Sequence, residues 1–320
     1  MSNRKMLILH DIDQNYIQQI KDIVPDWDVV LDSDRSIWPD HIQESEVIVG
    51  WTNEIGTKIF HQPTKLKWVQ SWSAGVNTFP VDDFSSREIK LTSAKGVHAY
   101  PISETIIGFM LTFTRNLHTY IKNQTKKIWS DSISMKEIHE KTVGIIGVGE
   151  IGKETAKIAK AFGMTVLGVR HSGKDEEYVD KMYSSNQLHN MLPLCDYVVV
   201  TLPLTKDTYH LFSDKEFKLM KPSSFFINIG RGQTVVEDDL IKALINGEIA
   251  GAGLDVFETE PLSQESPLWE LDNVIITPHN SGLTDYYTKR VIENIFIPNL
   301  KQYIQSKALS INLVDYSKGY

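Results

Sequence analysis

The chain has little cysteine: Cys195 is the one cysteine among its 320 residues. A single cysteine cannot form an internal disulfide, and Cys195 precedes the apolar run Tyr197–Val200, as a core residue would. We therefore expect a packed thiol at this position and not a nucleophile. Cysteine and histidine also never occur at the spacing of a zinc site, so the sequence predicts no metal site.

Long apolar stretches and runs of basic charge are missing as well. No apolar segment approaches the length that spans a bilayer, and the opening MSNRKMLIL is too short for the apolar core of a secretory signal. The 33 Lys and Arg residues face 41 Asp and Glu residues, which gives a net charge of −8. We therefore expect a cytoplasmic protein with no membrane partner and no nucleic-acid partner.

What the sequence does contain is a regular alternation of strand-like and helix-like segments. In the first third the predicted strands are Lys5–Leu9, Asp28–Leu31, Val47–Gly50, Trp68–Trp72 and Leu91–Ser93. A second series comprises Val143–Ile146, Val166–Val169, Tyr197–Thr201, Ser224–Asn228, Gly253–Asp255 and Val274–Thr277. Such alternation is typical of parallel sheets covered by helices, and the second series suits the six-strand order of a dinucleotide-binding domain.

The length of the chain indicates about two domains. A strongly apolar helix begins near Pro101, and a final helix, predicted over Thr284–Ser306, is long enough to return to the first domain. We therefore predict an α/β protein with two doubly wound parallel-sheet domains. Residues 1–100 with 285–320 would form a smaller, discontinuous, flavodoxin-like substrate domain, and residues 101–284 a Rossmann NAD(P)-binding domain.

A glycine-rich turn directly follows the predicted strand Val143–Ile146 and precedes a segment with helical spacing, Lys153–Phe162. Gly147 would permit the tight turn, Gly149 would let the backbone approach a pyrophosphate, and Gly152 would let the helix pack on the strand. The N–H groups at the helix start would face the phosphates. Glycines also form ordinary turns, but this strand–turn–helix context predicts dinucleotide binding. The expected cofactor contacts are Gly147, Gly149, Glu150, Ile151 and Gly152.

The end of the next strand indicates which dinucleotide binds. An acid about 20 residues past the glycines would bind the ribose hydroxyls of NAD, but this strand ends in Arg170-His171-Ser172, with no acid until Asp175. A guanidinium can pair with a 2′-phosphate, and Ser172 can donate a hydrogen bond to it. We predict NADP(H) as the preferred cofactor, with NAD(H) possible. Alternatively, Arg170 is a solvated side chain or stacks on the adenine.

Polar residues also follow three later strands, in the segments Asn228–Gly232, Asp255–Pro261 and Thr277–Gly282. Ligands bind at this edge of open α/β sheets, and an arginine between two glycines can hold a carboxylate by two parallel hydrogen bonds. Each residue alone has an ordinary explanation, since Arg231 could cap a loop, Glu260 could be a surface acid and His279 could be structural. Only the ordered set points to catalysis.

Four motifs, GIIGVGEIG, INIGRG, GLDVFETEPL and ITPHNSG, occur in this order. By them the sequence resembles the D-isomer-specific 2-hydroxyacid dehydrogenase family over essentially its whole length. The segments GVHAYPISE and GVRHSG are closer to the glyoxylate/hydroxypyruvate reductase-like branch. Since the chain ends at Tyr320, we do not expect the extra C-terminal regulatory domain of many phosphoglycerate dehydrogenases. Formate dehydrogenase would carry a glutamine in place of Glu260.

The resemblance implies roles for individual residues. Arg231 would bind the substrate carboxylate and polarise the carbonyl, Glu260 would be the partner of His279, and Asp255 would lie near the nicotinamide amide. Backbone N–H groups of the loop Ser73–Asn77, in particular at Gly75 and Val76, would bind the substrate carboxylate. Trp51 and Tyr100 would line the substrate pocket, although structural roles suit them equally. The remaining expected cofactor contacts are Leu202, Pro203, Thr208, Ile229, Gly230 and Gly282.

These roles form one reaction, the reduction of a small 2-keto acid. Histidine suits the proton transfer, a neighbouring carboxylate would orient it, and Arg231 would stabilise the developing oxyanion. The alternative is a non-catalytic, dinucleotide-sensing protein of corepressor type, because such relatives can keep the same residues. The resemblance further implies a homodimer formed through the nucleotide-binding domain. The apolar helix Ile106–Phe113 would suit that interface, or could be buried within its own domain.

Overall fold

The computed structural model describes residues 4–33, 36–76, 78–130 and 135–316. Its strands are β1 (Lys5–Ile8), β2 (Asp28–Leu31), β3 (Val47–Val49), β4 (Trp68–Gln70), β5 (Lys90–Thr92), β6 (Thr142–Ile146), β7 (Thr165–Val169), β8 (Lys181–Tyr183), β9 (Tyr197–Val200), β10 (Phe225–Asn228), β11 (Gly251–Leu254) and β12 (Val274–Ile276).

The α-helices are α1 (Gln14–Ile23), α2 (Trp38–His41), α3 (Asn53–Ile59), α4 (Val81–Ser86), α5 (Ala99–Thr114), α6 (Leu117–Thr125), α7 (Glu150–Ala161), α8 (Leu188–Met191), α9 (Asp214–Leu219), α10 (Glu237–Ile245), α11 (Tyr287–Val291) and α12 (Ile297–Ile304). Short 3₁₀ helices are Ser185–Gln187, Leu192–Leu194, Gly232–Thr234 and Pro267–Trp269.

The chain divides into two compact units, one made of Met1–Val97 with Thr284–Tyr320 and the other of His98–Leu283. The assignment of a substrate-binding role and a nucleotide-binding role to these units stays a prediction. Every strand pair in the described residues is parallel. The predicted fold class, two doubly wound parallel sheets, is confirmed.

The unit that contains the N-terminal strands has a sheet in the order β2-β1-β3-β4-β5, which is the flavodoxin-like order. Side chains alternate between the two faces of each strand. On β1, Met6 and Ile8 therefore pack with α1 and α12, whereas Leu7 packs on the opposite face with Trp38 and Phe84 of α2 and α4. Both faces of the sheet are thus covered, as expected for a doubly wound domain.

The last helical segment differs from its prediction. Instead of one α-helix over Thr284–Ser306, α11 and α12 are joined by a π-helical turn, Ile292–Phe296. Pro298, in the first turn of α12, has no N–H to donate to the carbonyl four residues earlier, so the regular α-helical ladder cannot pass through it. The segment still buries Ile292, Phe296 and Leu300 against the sheet of its own unit.

The other unit has a seven-stranded sheet in the order β12-β11-β10-β9-β6-β7-β8. Counted from β6, this is the Rossmann order 3-2-1-4-5-6 with one further strand at the edge. The prediction of six strands missed β8, which pairs with β7. Cys195 is fully buried in this unit, where burial raises the pKa of its thiol to about 12. The predicted packed thiol is therefore confirmed.

Helix α5 buries its apolar residues within its own unit. Ile106 and Met110 are fully buried and pack with α7 and the sheet. Of the two alternatives for this apolar helix, burial within its own domain is therefore the correct one. The apolar character of the helix no longer supports a dimer interface. None of the helices among the described residues combines the length and the apolar composition that spanning a bilayer requires.

Candidate active site

The glycine turn between β6 and α7 has the shape that a dinucleotide requires. Gly147 has a φ of +104°, which favours glycine, and a Cβ on Gly152 would lie 2.8 Å from the carbonyl oxygen of Gly147. A Cβ on Gly149 would meet nothing within 4 Å. Helix α7 begins at Glu150, three residues before its predicted start, and its N–H groups are available to phosphate oxygens. The residues present therefore fit a dinucleotide.

The loop after β9 comes close to this turn, and the loop after β10 comes close to the loop after β9. A Cβ on Gly147 would lie 3.2 Å from the backbone nitrogen of Leu202, and a Cβ on Gly230 would lie 2.6 Å from the Leu202 carbonyl oxygen. The loops after β6, β9 and β10 thus converge at the carboxyl edge of the sheet. The Thr208 hydroxyl donates to the carbonyl of Pro203 at 2.7 Å and braces its own loop. The Ile229 side chain is buried and its N–H donates to the Val200 carbonyl at 3.2 Å, which leaves its carbonyl for any cofactor contact.

Arg170, at the end of β7, is held against the glycine turn. Its Nε and Nη2 donate to the carbonyl of Val148 at 2.9 and 2.6 Å, and Nη2 also donates to Glu176 at 2.6 Å. Arg170 is therefore not the solvated side chain of the alternative interpretation. His171 and Ser172 are exposed in the following turn. Glu176 was not identified from the sequence, because only the fold of this turn brings the acid back to the arginine.

The loop that carries Arg231 is built on the buried side chain of Asn228. Its amide oxygen accepts from the Gly230 nitrogen at 3.1 Å, and its amide nitrogen donates to the Arg231 carbonyl at 3.2 Å. The Thr234 hydroxyl donates to the same carbonyl at 2.7 Å. Arg231 itself is exposed, and Nη1 donates to the Gly230 carbonyl at 2.7 Å. Other donors of the guanidinium fork remain for a carboxylate.

Gly232 brings this loop against the segment that leads to Glu260. A Cβ on Gly232 would lie only 1.8 Å from the carbonyl oxygen of Phe257. The adjacent Gln233 side chain donates to the Glu258 carbonyl at 2.9 Å. The relative position of Arg231 and Glu260 therefore depends on a backbone contact that only glycine permits. From the sequence, Gly232 was noted only as one of the two glycines beside Arg231.

A second group of polar side chains braces the same segment. His210 Nε2 lies 2.9 Å from a carboxylate oxygen of Glu258. The Glu258 nitrogen donates to the Glu237 carboxylate at 3.1 Å, and the Glu237 nitrogen donates to the Glu258 carboxylate at 3.3 Å. Burial raises the pKa of Glu237. Sequence reasoning missed these three residues, since nothing in their local pattern indicates that they meet.

His279 and Glu260 form a direct pair, with 2.7 Å between Nδ1 and Oε2. The other carboxylate oxygen of Glu260 accepts from the Phe257 nitrogen at 3.0 Å. Because an ionised carboxylate only accepts, Nδ1 carries the hydrogen and Nε2 is left to exchange a proton with a substrate. The imidazole is about half exposed, and His279 has a φ of +50°, a region that histidine adopts more readily than most residues.

Asp255 holds the loop in which His279 lies. This buried carboxylate accepts from the Thr277 hydroxyl at 2.6 Å, the Asn280 nitrogen at 3.0 Å and the Ser281 hydroxyl at 2.5 Å. These three donors lie on either side of His279, so Asp255 positions the histidine backbone. A contact between Asp255 and the nicotinamide amide stays a prediction.

The other predicted contacts occupy varied positions. The Gly282 carbonyl lies 2.9 Å from Nδ1 of His98, and Tyr100 is exposed on α5. The Trp51 ring packs on Phe79 and Phe84.

In the loop predicted to bind the substrate carboxylate, Val76 buries its side chain and Gly75 is exposed, while Asn77 lies outside the described residues. In the described ranges, no group of three or more His, Cys, Asp or Glu residues could hold a metal ion.

Comparisons with known proteins relate both the sequence and the fold to one family. A model of the D-isomer specific 2-hydroxyacid dehydrogenase NAD binding domain matches residues 107–281. The chain is 35% identical over 271 residues to glyoxylate/hydroxypyruvate reductase B of Shigella boydii, a match that covers 82% of this chain and 83% of that protein.

Two solved structures extend the similarity to nearly the whole chain. A D-isomer specific 2-hydroxyacid dehydrogenase family protein from Aeromonas salmonicida superimposes with a TM-score of 0.84 at 33% identity, covering 98% of this chain and 100% of that one. An NADPH-dependent glyoxylate/hydroxypyruvate reductase from Sinorhizobium meliloti, solved with NADP and sulfate, superimposes with a TM-score of 0.78 at 26% identity and covers 99% and 100% of the two chains.

Proposed function

The chain belongs to the D-isomer specific 2-hydroxyacid dehydrogenase family, and from this membership we propose that it reduces a small 2-keto acid, such as glyoxylate or hydroxypyruvate, with NADPH. That the protein is an NAD(P)-dependent enzyme follows from the family. The proposal concerns its substrate, the roles of its residues and its preferred cofactor. The observation that carries it is the His279–Glu260 pair at the carboxyl edge of the Rossmann sheet.

Each residue of the site has a separate role in the proposed reaction. A nicotinamide cofactor, when bound, supplies the hydride. Nε2 of His279 delivers the proton to the forming hydroxyl, while the Glu260 carboxylate holds the imidazole in the required tautomer and orientation. Arg231 pairs with the substrate carboxylate and stabilises the negative charge that develops on the carbonyl oxygen. The product is the D-2-hydroxy acid.

The proposed substrate class agrees with the chemistry of these side chains and with the relatives. A 2-keto acid carries a carboxylate beside the reacting carbonyl, and one guanidinium fork can interact with both groups. Two of the similar proteins are named glyoxylate/hydroxypyruvate reductases. The test is the loss of nicotinamide absorbance with glyoxylate, hydroxypyruvate and larger 2-keto acids. Failure to oxidise NADPH or NADH with any of them would overturn the proposed substrate class.

For the cofactor, we expect Arg170→Ala to reduce the preference for NADPH over NADH, measured as the ratio of the two kcat/KM values for the cofactors. The expected loss is about 10- to 100-fold, the worth of one or two charge-assisted hydrogen bonds to a phosphate. Arg115→Ala is the matched control, because the Arg115 guanidinium donates to the Lys136 carbonyl at 3.2 Å, far along the chain from the glycine turn. An unchanged ratio in Arg170→Ala would contradict the assigned role.

We also propose that the protein is a homodimer. Large apolar side chains are exposed on α6 and in the segment that follows it, among them Leu117, Ile121, Ile128 and Trp129, which is 97% exposed. Covering such a surface with a second copy removes apolar area from water. Sedimentation equilibrium should give the mass of two chains, and Trp129→Ser should shift the equilibrium toward one chain. A monomeric wild-type protein at micromolar concentration would contradict the proposal.

A further inference from the structure

The Glu176 carboxylate lies between two cations, Arg170 and Lys153, beside the glycine turn. Oε2 of Glu176 lies 2.6 Å from Nη2 of Arg170 and 3.2 Å from Nζ of Lys153. The two cations come from different elements, one from the end of β7 and the other from the first turns of α7. The Glu176 side chain is mostly covered, with 19% of its area exposed. One carboxylate oxygen is thus shared by the two cations next to the glycine turn.

The position of Arg170 is defined by the backbone. Arg170 donates through both Nε and Nη2 to the carbonyl of Val148, which lies between the first two glycines of the turn. The guanidinium cannot move far without losing these bonds. The hydrogen bond from Arg170 lowers the pKa of Glu176, so its carboxylate is charged at neutral pH.

We propose that Glu176 is a specificity-determining residue that limits the preference for NADPH over NADH by competing with the 2′-phosphate for Arg170 and Lys153. The inference rests on the proposed function in one respect, since it takes Arg170 as the residue that binds the 2′-phosphate.

Two anions, the Glu176 carboxylate and the 2′-phosphate, compete for the same cations. A 2′-phosphate that pairs with Arg170 must either displace the Glu176 carboxylate or lie beside it, and two like charges a few ångströms apart repel each other. A cofactor with a 2′-hydroxyl brings no second charge, and its hydroxyl can donate a hydrogen bond to the carboxylate. Glu176 therefore lowers the affinity for NADPH, and it leaves the affinity for NADH unchanged or raises it slightly.

The test is a direct binding measurement that does not depend on turnover. Dissociation constants for NADPH and NADH are measured by isothermal titration calorimetry on the full chain and on Glu176→Gln. Glutamine keeps the shape of the side chain and removes its charge. We expect the NADPH dissociation constant to fall about tenfold, on the order of one like charge removed at this distance near a surface, with the NADH constant unchanged or raised. Thermal unfolding checks that the variant is folded.

Two further variants test whether the effect comes from the charge of Glu176 and from its contact with Arg170. Glu177→Gln removes the same charge one residue away, where the carboxylate interacts with the Tyr178 hydroxyl, and should leave the ratio of the two constants unchanged. In the Arg170→Ala background, Glu176→Gln should lose most of its effect, because the competition then lacks its main cation.

Three results would overturn the inference: an unchanged ratio in Glu176→Gln, a shift toward NADH, or an equal shift in the Arg170→Ala background. A shift toward NADH would mean that Glu176 orients Arg170 for the phosphate instead of competing with it. If Arg170 does not bind the 2′-phosphate, the result is different: Arg170→Ala alone would then leave the dissociation constant of NADPH unchanged. Failure of the proposed substrate leaves all these constants untouched.

Discussion

Replacing His279 by asparagine should lower kcat for 2-keto acid reduction by about 10²- to 10⁴-fold, the usual worth of a positioned proton donor. Asparagine cannot deliver the proton from the Nε2 position, but it tolerates the positive φ of this residue, so the loop held by Asp255 should keep its shape. Steady-state kinetics at saturating cofactor measures the effect. The dissociation constant of NADPH should stay within about twofold of wild type, because the role proposed for His279 concerns the substrate and not the cofactor.

The control is another histidine–glutamate pair in the same unit. His189 Nε2 lies 2.8 Å from Glu216 near the start of α8 and α9, and its side chain has a similar exposure. His189→Asn should therefore retain wild-type kcat. A variant at His279 that kept wild-type kcat, or a loss of equal size at His189, would contradict the assignment of the proton donor.

Gly232→Ala should lower kcat/KM by about 100-fold or more, since a misplacement of about 1 Å at reacting groups has this cost. The new methyl group would lie 1.8 Å from the Phe257 carbonyl oxygen, so the Arg231 loop and the segment leading to Glu260 must move apart. The same overpacking should destabilise the fold by about 1–3 kcal/mol. Steady-state kinetics and thermal unfolding measure the two effects.

Gly108→Ala separates this steric effect from a general effect of adding a methyl group. Gly108 lies within α5, and a Cβ there would meet nothing within 4 Å. Gly108 is at an exposed position of this helix, where alanine is more stable than glycine by about 0.5–1 kcal/mol, so this variant should be as active as wild type. Full activity in Gly232→Ala would show that the loop contact does not position Arg231.

Most strands were predictable because their residues form short apolar runs. Runs such as Val143–Ile146 and Tyr197–Val200 are buried along their whole length, and buried parallel strands read as continuous apolar segments. Strand β8 is the three-residue segment Lys-Met-Tyr, which contains no apolar run, so it gave no such signal. The start of α7 was also missed. Glycine is a poor helix former, so the helix was expected to begin after Gly152, but Gly152 lies inside it.

The sequence indicated which residues are catalytic candidates, but not the distances between their side chains. Arg231, Glu260 and His279 each follow a strand, and carboxyl ends of parallel strands meet at one edge of the sheet. The 2.7 Å contact between Glu260 and His279, however, depends on loops whose shapes come from Asp255 and Gly232. Neither the buried network of Asp255 nor the close approach at Gly232 has a local sequence pattern.

The sequence by itself determined the α/β class, the glycine turn and the residue types that can bind a carboxylate and transfer a proton. These follow from periodicity, from backbone freedom at glycine and from side-chain chemistry, all of which are local. Only the tertiary structure decided that Glu176 meets Arg170 and that His210, Glu237 and Glu258 brace the Glu260 segment. Such pairings join residues on separate loops, and the distance between two charges, which sets their interaction energy, exists only once the chain has folded.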